Sequence, residues 1–135
     1  MNTSGAAAKP AEKPKPTHFK DLLVWQKGME LAEHVYRLTE KFPSDERFGL
    51  VSQLRRAAVS VPSNIAEGQA RHGTKEFLLF ISHAMGSLAE IETQVLLSER
   101  LGHCASASTV EVQRLIADLD RMLRALRRSL AKEPV

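Results

Sequence analysis

The sequence has little of what disulfide-bonded or membrane-spanning proteins require. It contains one cysteine, Cys104, so no disulfide can form within the chain, and this usage fits the cytoplasm best. No apolar run approaches the roughly 20 residues that a membrane-spanning helix needs. Residues 1–17 also lack the basic and apolar regions of a secretory signal. We therefore expect a cytoplasmic protein without an internal disulfide and without a membrane partner.

An excess of one charge sign is also nearly missing once the N-terminal segment is set apart. The formal net charge is +3, and Lys9, Lys13 and Lys15 against Glu12 place +2 of it in residues 1–17. That segment is rich in Ala, Lys and Pro and has no apolar periodicity, so we expect a disordered tail followed by one domain at 18–135. Because the domain itself is almost neutral, any electrostatic binding must come from local patches.

What the sequence does contain is helical periodicity in four successive stretches. Apolar residues recur at steps of three and four from Asp21 to Phe42, from Ser44 through Ile65, from Thr74 to about Gly102, and from a capping box at Ser108–Glu111 onward. The first stretch carries two apolar stripes, one of them Leu22, Trp25, Met29, Ala32 and Tyr36, so we expect it to be buried on more than one side. No stretch alternates as a strand would. We predict an all-α fold, an antiparallel up-down-up-down four-helix bundle.

The second stretch contains an unusual segment, SVPSNIAEG at residues 60–68. Val61 and Ile65 keep the register of Val51 and Leu54, so we predict that the helix continues through Pro62. A proline there costs about 3 kcal/mol in an isolated helix, which tertiary contacts must offset. A stripe of small and polar side chains lies beside the apolar seam, and we predict that it is a subunit interface: Gln53, Ala57, Ser60, Asn64, Glu67 and Arg71.

The residue patterns of enzymes built on helical bundles are missing. No histidine follows a glutamate by three residues, which excludes the Glu-x-x-His motif of carboxylate-bridged metal pairs. Glu30 and Glu33 supply only half of the acidic motif with which all-helical pyrophosphatases hold magnesium. No arginine precedes a histidine at the spacing of helical ribonucleases. We therefore predict no enzyme activity, no catalytic or metal-binding residues and no cofactor.

Cations cluster on the fourth predicted helix, where no acid occurs between residues 121 and 132. Cations near a helix C-terminus are favoured by the helix dipole alone. The same strip could instead bind phosphates in a salt-sensitive, sequence-independent way, and both interpretations stay open. The candidate nucleic-acid-binding residues are Arg121, Arg124, Arg127, Arg128 and Lys132, with Arg55, Arg56, Arg71 and Lys75 as additional candidates.

Two combinations of residues resemble a known family. They are Phe-Pro followed by Glu-Arg-Phe-Gly-Leu at residues 42–50, and Ser-x-Pro-Ser-Asn-Ile-Ala-Glu-Gly at residues 60–68. Over about residues 19–130 the sequence closely resembles the four helix bundle proteins encoded in 23S rRNA intervening sequences. The resemblance implies a ring-like homopentamer with no established enzymatic activity. A more distant likeness to the accessory variability determinant of diversity-generating retroelements implies a basic bundle that binds reverse transcriptase and nucleic acid.

Two hypotheses of function follow from the sequence. The first is a non-catalytic, oligomeric bundle that binds structured RNA, another nucleic acid or a nucleic-acid-processing protein through its basic face. The alternative is a purely structural protein–protein assembly module with no role in nucleic-acid binding.

Overall fold

Four α-helices make up the protein in the computed structural model, which describes residues 18–132. They are α1 (Leu23–Thr39), α2 (Leu50–Ala70), α3 (Thr74–Arg100) and α4 (Ser106–Ala131). Short 3₁₀ turns at Phe19–Asp21 and Ser44–Glu46 precede α1 and α2, and residues 18–132 contain no strand. The all-α prediction is confirmed, while the tail predicted at 1–17 lies outside the described residues. No helix in the described part of the chain is long and apolar enough to cross a bilayer.

Consecutive helices run in opposite directions. Each helix packs on the next, and α1 also packs on α4, so that the four helices close a ring around one core. Between α2 and α3, Gln53 contacts Gln94 and Ser60 contacts Ser87. Residue numbers therefore increase along α2 in the direction in which they decrease along α3. The end of α3 likewise meets the start of α4, where Thr109 contacts Glu99. This is the up-down-up-down arrangement that the short turns predict.

The predicted apolar seams meet in the centre of the bundle. Their largest members are completely or almost completely buried: Leu31, Leu54, Ile65, Ile81, Leu88, Ile91, Leu115, Leu119 and Leu123. Burial of a leucine or isoleucine side chain contributes about 1.5–3 kcal/mol each, so these seams hold the four helices together. The register of the core therefore determines where the charged side chains lie on the surface.

Helix α2 continues through Pro62, as predicted. Both Val61 and Ile65 are fully buried, and Pro62 is buried between them. Its ring lies against Gly28 of α1, where an added Cβ would be only 3.3 Å from Cβ of Pro62. Gly28 therefore lets α1 approach the proline closely. This packing offsets part of the free energy that is lost because a proline cannot donate a helical hydrogen bond.

The capping box predicted at Ser108–Glu111 is wrong. Helix α4 begins three residues earlier than that box implies, at Ser106, and its N-cap residue, Ala105, makes no side-chain capping bond. Glu99 at the end of α3 instead accepts hydrogen bonds from Ser106, Thr109 and Gln113, with 2.7 Å between Thr109 Oγ1 and Glu99 Oε2. The start of α4 is fixed by this contact across the turn, a tertiary interaction that a local motif does not contain.

Candidate functional site

The basic face predicted on α4 is partly neutralised. The Nη2 atom of Arg121 lies 3.1 Å from Asp118 Oδ1, and Nε of Arg124 lies 2.8 Å from Asp120 Oδ2. These acids stand one turn upstream of the arginines, just outside the acid-free interval at 121–132, so their effect was missed from the sequence. Such exposed ion pairs contribute only about 0–1 kcal/mol, yet each one cancels the local positive potential.

The last turns of α4 keep their positive charge. Arg127, Arg128 and Lys132 form no ion pair with any acidic residue in the part of the chain that the structure describes. Arg128 and Lys132 are exposed and Arg127 is half-buried. The helix dipole favours these cations at the C-terminal end, where backbone carbonyls have no partner within the helix. They remain available to an external anion.

Of the four additional candidates, Arg55 and Arg71 have structural partners. Arg55 donates from Nε to Thr39 Oγ1 at 2.9 Å, and its guanidinium lies 4.5 Å from the centre of the Tyr36 ring. These contacts hold the start of α2 to the end of α1. Arg71 binds Glu67 at 2.7 Å, and this hydrogen bond raises the pKa of the arginine. Both arginines would have to give up such contacts to bind a phosphate.

Lys75 and Arg56 are exposed and form no ion pair within residues 18–132, but they lie apart. Arg56 stands 14 residues before the end of α2, about 20 Å away along the helix. Lys75, in contrast, follows the α2–α3 turn at the C-terminal end of α4.

A groove of about 420 Å³ joins this turn to α4 and is lined on one side by His72 and Gly73, and on the other by Ser129 and Leu130. Five residues with basic side chains lie at this end of the bundle, and we call them the basic end: His72, Lys75, Arg127, Arg128 and Lys132.

The stripe predicted as a subunit interface makes contacts inside the chain. Ala57 is buried in the core, Ser60 Oγ lies 2.5 Å from Ser87 Oγ of α3, and Gln53 accepts a bond from Gln94. Asn64 donates to the carbonyl of Ser60 at 2.7 Å, and Glu67 pairs with Arg71 as described above. Small side chains here let α2 and α3 approach each other. As a subunit interface, the stripe stays a prediction.

An apolar groove lies open between α1 and α2. It has a volume of about 580 Å³ and is lined chiefly by Trp25, Met29, Tyr36, Val59 and Pro62. Met29 is 42% exposed and Tyr36 is 41% exposed. The expectation that α1 is buried on more than one side holds in part: Leu22, Trp25 and Ala32 of its predicted stripe pack against the core, whereas Met29 and Tyr36 stay exposed in one chain. A continuous apolar surface of this kind is typical of a protein–protein contact.

Three potential metal ligands that the motif search missed come together between α1 and α4. One ligand atom each from Glu30, His34 and Glu111 lies within 4.8 Å of the others, and all three residues are half-buried. The Glu-x-x-His motif has its glutamate three residues before the histidine, whereas Glu30 precedes His34 by four and Glu111 belongs to another helix. A spacing of four also places two side chains on one helix face. These residues could hold a cation.

Comparison with known proteins supports the fold and identifies the family. Among curated proteins, none matches this sequence. The crystal structure of a protein of unknown function from the S23 ribosomal protein family of Bacteroides thetaiotaomicron superposes with a TM-score of 0.70 at 18% identity, covering 78% of this chain and 98% of that one. At this identity the match shows a shared fold. The family model described as 23S rRNA-intervening sequence protein matches residues 20–125, and the chain therefore belongs to that family.

Proposed function

We propose that this chain is a non-catalytic, oligomeric bundle of the cytoplasm that binds structured RNA through its basic end. The observation that carries the proposal is the contrast along α4. Arg121 and Arg124 are paired with acids of their own helix, whereas Arg127, Arg128 and Lys132 have no acidic partner among residues 18–132. The last turns of α4 are therefore the part of this helix where a phosphate would meet uncompensated positive charge.

The position of these cations suits a polyanion. His72 of the α2–α3 turn and Lys75 at the start of α3 stand at the same end of the bundle as Arg127 and Arg128 of α4, so the charge comes from two segments of the chain. Neutralisation of phosphates by lysine and arginine releases counterions, which makes such binding strong at low salt and largely independent of sequence. Base-specific recognition is not required for it.

We predict that the triple variant Arg127→Gln, Arg128→Gln, Lys132→Gln binds a fluorescent RNA hairpin about tenfold or more weakly than the parent at low salt, because three phosphate contacts are lost. The slope of log K against log salt concentration should fall in magnitude by about 2 to 3. Fluorescence anisotropy over a salt series measures both quantities.

The matched control is Arg121→Gln with Arg124→Gln, which removes two arginines of the same helix that are already paired. It should change the affinity much less than the triple variant. If both variants bind RNA equally, or if the parent binds no RNA at low salt, the basic end is not an RNA-binding surface. The second result would favour the alternative function, a structural assembly module.

Self-association completes the proposal, with the homopentamer as the state that family membership favours. Two surfaces are candidates for the contact. The apolar groove offers exposed aromatic and aliphatic side chains, including Met29, Tyr36 and Val59. The polar stripe on α2 offers Asn64 and Glu67, whose side chains are already hydrogen-bonded within their own helix. Burial of the apolar groove would therefore gain more free energy than burial of the stripe.

We expect Met29→Glu to reduce the mass of the assembled protein in sedimentation, because a charge would be buried in an apolar contact. The double variant Asn64→Ala, Glu67→Ala removes the polar groups of the stripe and serves as its test. If that double variant assembles and melts like the parent, the stripe is not the interface. If Met29→Glu leaves the mass unchanged, the groove is not the interface.

A further inference from the structure

Glu30, His34 and Glu111 are arranged as the ligands of a single metal ion would be. Glu30 and His34 are one turn apart on α1, and Glu111 reaches the same point from α4. Their ligand atoms lie within 4.8 Å of one another, while ligand atoms around a tetrahedral zinc ion are about 3.4 Å apart. Movements of about 1 Å by these half-buried side chains would close the site around an ion.

The carboxylate of Glu111 is held in place by a neighbouring arginine. Arg114 donates two hydrogen bonds to it, one of them 3.0 Å from Nε to Oε1. Asp118 Oδ2 in turn lies 3.0 Å from Arg114 Nη1 and balances its charge. Because a carboxylate has about four lone-pair positions, Glu111 can keep Arg114 and still bind a cation.

An open groove of about 320 Å³ between α1 and α4 reaches two of the three ligands. His34 and Glu111 line this groove, which extends to His103 and Cys104 at the α3–α4 turn. The groove gives an ion a path of entry and gives water room to complete the coordination. The cations that the ion would approach are Arg114, which is bonded to Glu111, Lys27 near it, and Arg37 and Lys41 on the groove wall. Arg37 lies 3.9 Å from Glu33, which offsets its charge.

We propose that Glu30, His34 and Glu111 form a binding site for a divalent transition-metal ion of the zinc class. One imidazole nitrogen and two carboxylate oxygens are a ligand set for Zn²⁺ or Co²⁺ rather than for Ca²⁺ or Mg²⁺, which prefer oxygen alone. Water occupies the remaining position. The ion links the middle of α1 to the start of α4, so its binding stabilises the folded chain. This site is separate from the basic end and does not depend on RNA binding.

The test is titration of the full chain, freed of metal by a chelator, with Zn²⁺ in a calorimeter and with Co²⁺ in an absorption spectrometer. We expect one ion per chain, a visible Co²⁺ band and a higher Tm with Zn²⁺. His34→Gln should weaken Zn²⁺ binding about 100-fold or more, since loss of a ligand exceeds the 10–100-fold cost of losing a supporting contact. Glu30→Gln should weaken it in the same way and serves if His34→Gln folds poorly.

The matched control is His83→Gln, which removes an exposed histidine of α3 that packs beside Phe80, away from this groove. It should bind Zn²⁺ like the parent. Equal binding by His34→Gln and His83→Gln would place the metal elsewhere and overturn the proposal. The proposal also fails if the parent shows no binding with a 1:1 ratio. Neither result would affect the RNA-binding test, which uses other residues.

Discussion

Leu88→Ala is expected to lower the free energy of unfolding by about 3 kcal/mol, the middle of the range for truncation of a buried leucine. Leu88 lies on α3 and is only 1% exposed, in contact with the core that all four helices share. Its truncation removes apolar contacts and leaves a cavity that the neighbouring helices fill only partly. Urea denaturation at a fixed protein concentration measures the change as a shift in midpoint.

The matched control is Leu79→Ala, on the same helix, where the side chain is 54% exposed. This change should alter the free energy of unfolding by less than about 0.5 kcal/mol. Equal effects at the two positions would contradict the register of α3. A large effect at Leu79 alone would show that this face of α3 is covered in the assembled protein.

Gly68→Ala is expected to destabilise the protein by about 2 kcal/mol through overpacking. Gly68 is buried where α2 crosses α3, and an added Cβ would lie 2.7 Å from Cβ of Phe80 and 3.0 Å from Cδ1 of Phe77. Because Cβ of Phe80 is fixed to its backbone, the two helices would have to move apart. Thermal or urea unfolding of the variant measures the cost.

Gly86→Ala provides the opposite expectation within the same bundle. Gly86 is exposed on α3, and no atom lies within 4 Å of the position that a Cβ would take. Alanine should therefore raise the free energy of unfolding by up to about 1 kcal/mol, through its higher helix propensity. If Gly68→Ala stabilised the chain as Gly86→Ala does, the close crossing of α2 and α3 would be refuted.

The helices and the core were predictable because each depends on a repeating local pattern. Val61 and Ile65 remain in register across Pro62, and the structure buries both of them completely. Apolar periodicity specifies which face of a helix turns inward, and short turns then favour antiparallel neighbours. The resemblance carried by the segment at residues 60–68 agrees with the family match.

Features that depend on charged side chains outside the predicted motifs were not predictable in this way. Glu99 of α3 accepts hydrogen bonds from Ser106 and Thr109, so the helix begins before Ser108 and the predicted capping box does not form. Asp118 pairs with Arg121 across one turn, which reduced the predicted basic face to its last turns. In both cases a charged residue outside the predicted motif decides the local structure.

Two further surfaces, the apolar groove and the proposed metal site, depend on how neighbouring helices pack together. Periodicity placed Met29 and Tyr36 in a buried stripe, but the core of one chain is filled by Leu31 and Val35 of the adjacent stripe. Met29 and Tyr36 are left exposed, while Leu22, Trp25 and Ala32 of the same stripe pack against the core. Glu111 meets Glu30 and His34 because α4 packs beside α1. Apolar periodicity does not specify which side chains of these two helices lie opposite each other.

The central claim, that an assembled bundle binds RNA by charge, is tested most directly by the mass of the parent protein in solution with and without an RNA hairpin. Sedimentation at low salt should give five times the chain mass of 15.0 kDa, and a larger mass when RNA is present. High salt should remove the RNA and leave the assembly intact, because counterion release drives RNA binding and does not drive self-association. A species of 15.0 kDa whose mass does not change when RNA is added at low salt would contradict this claim.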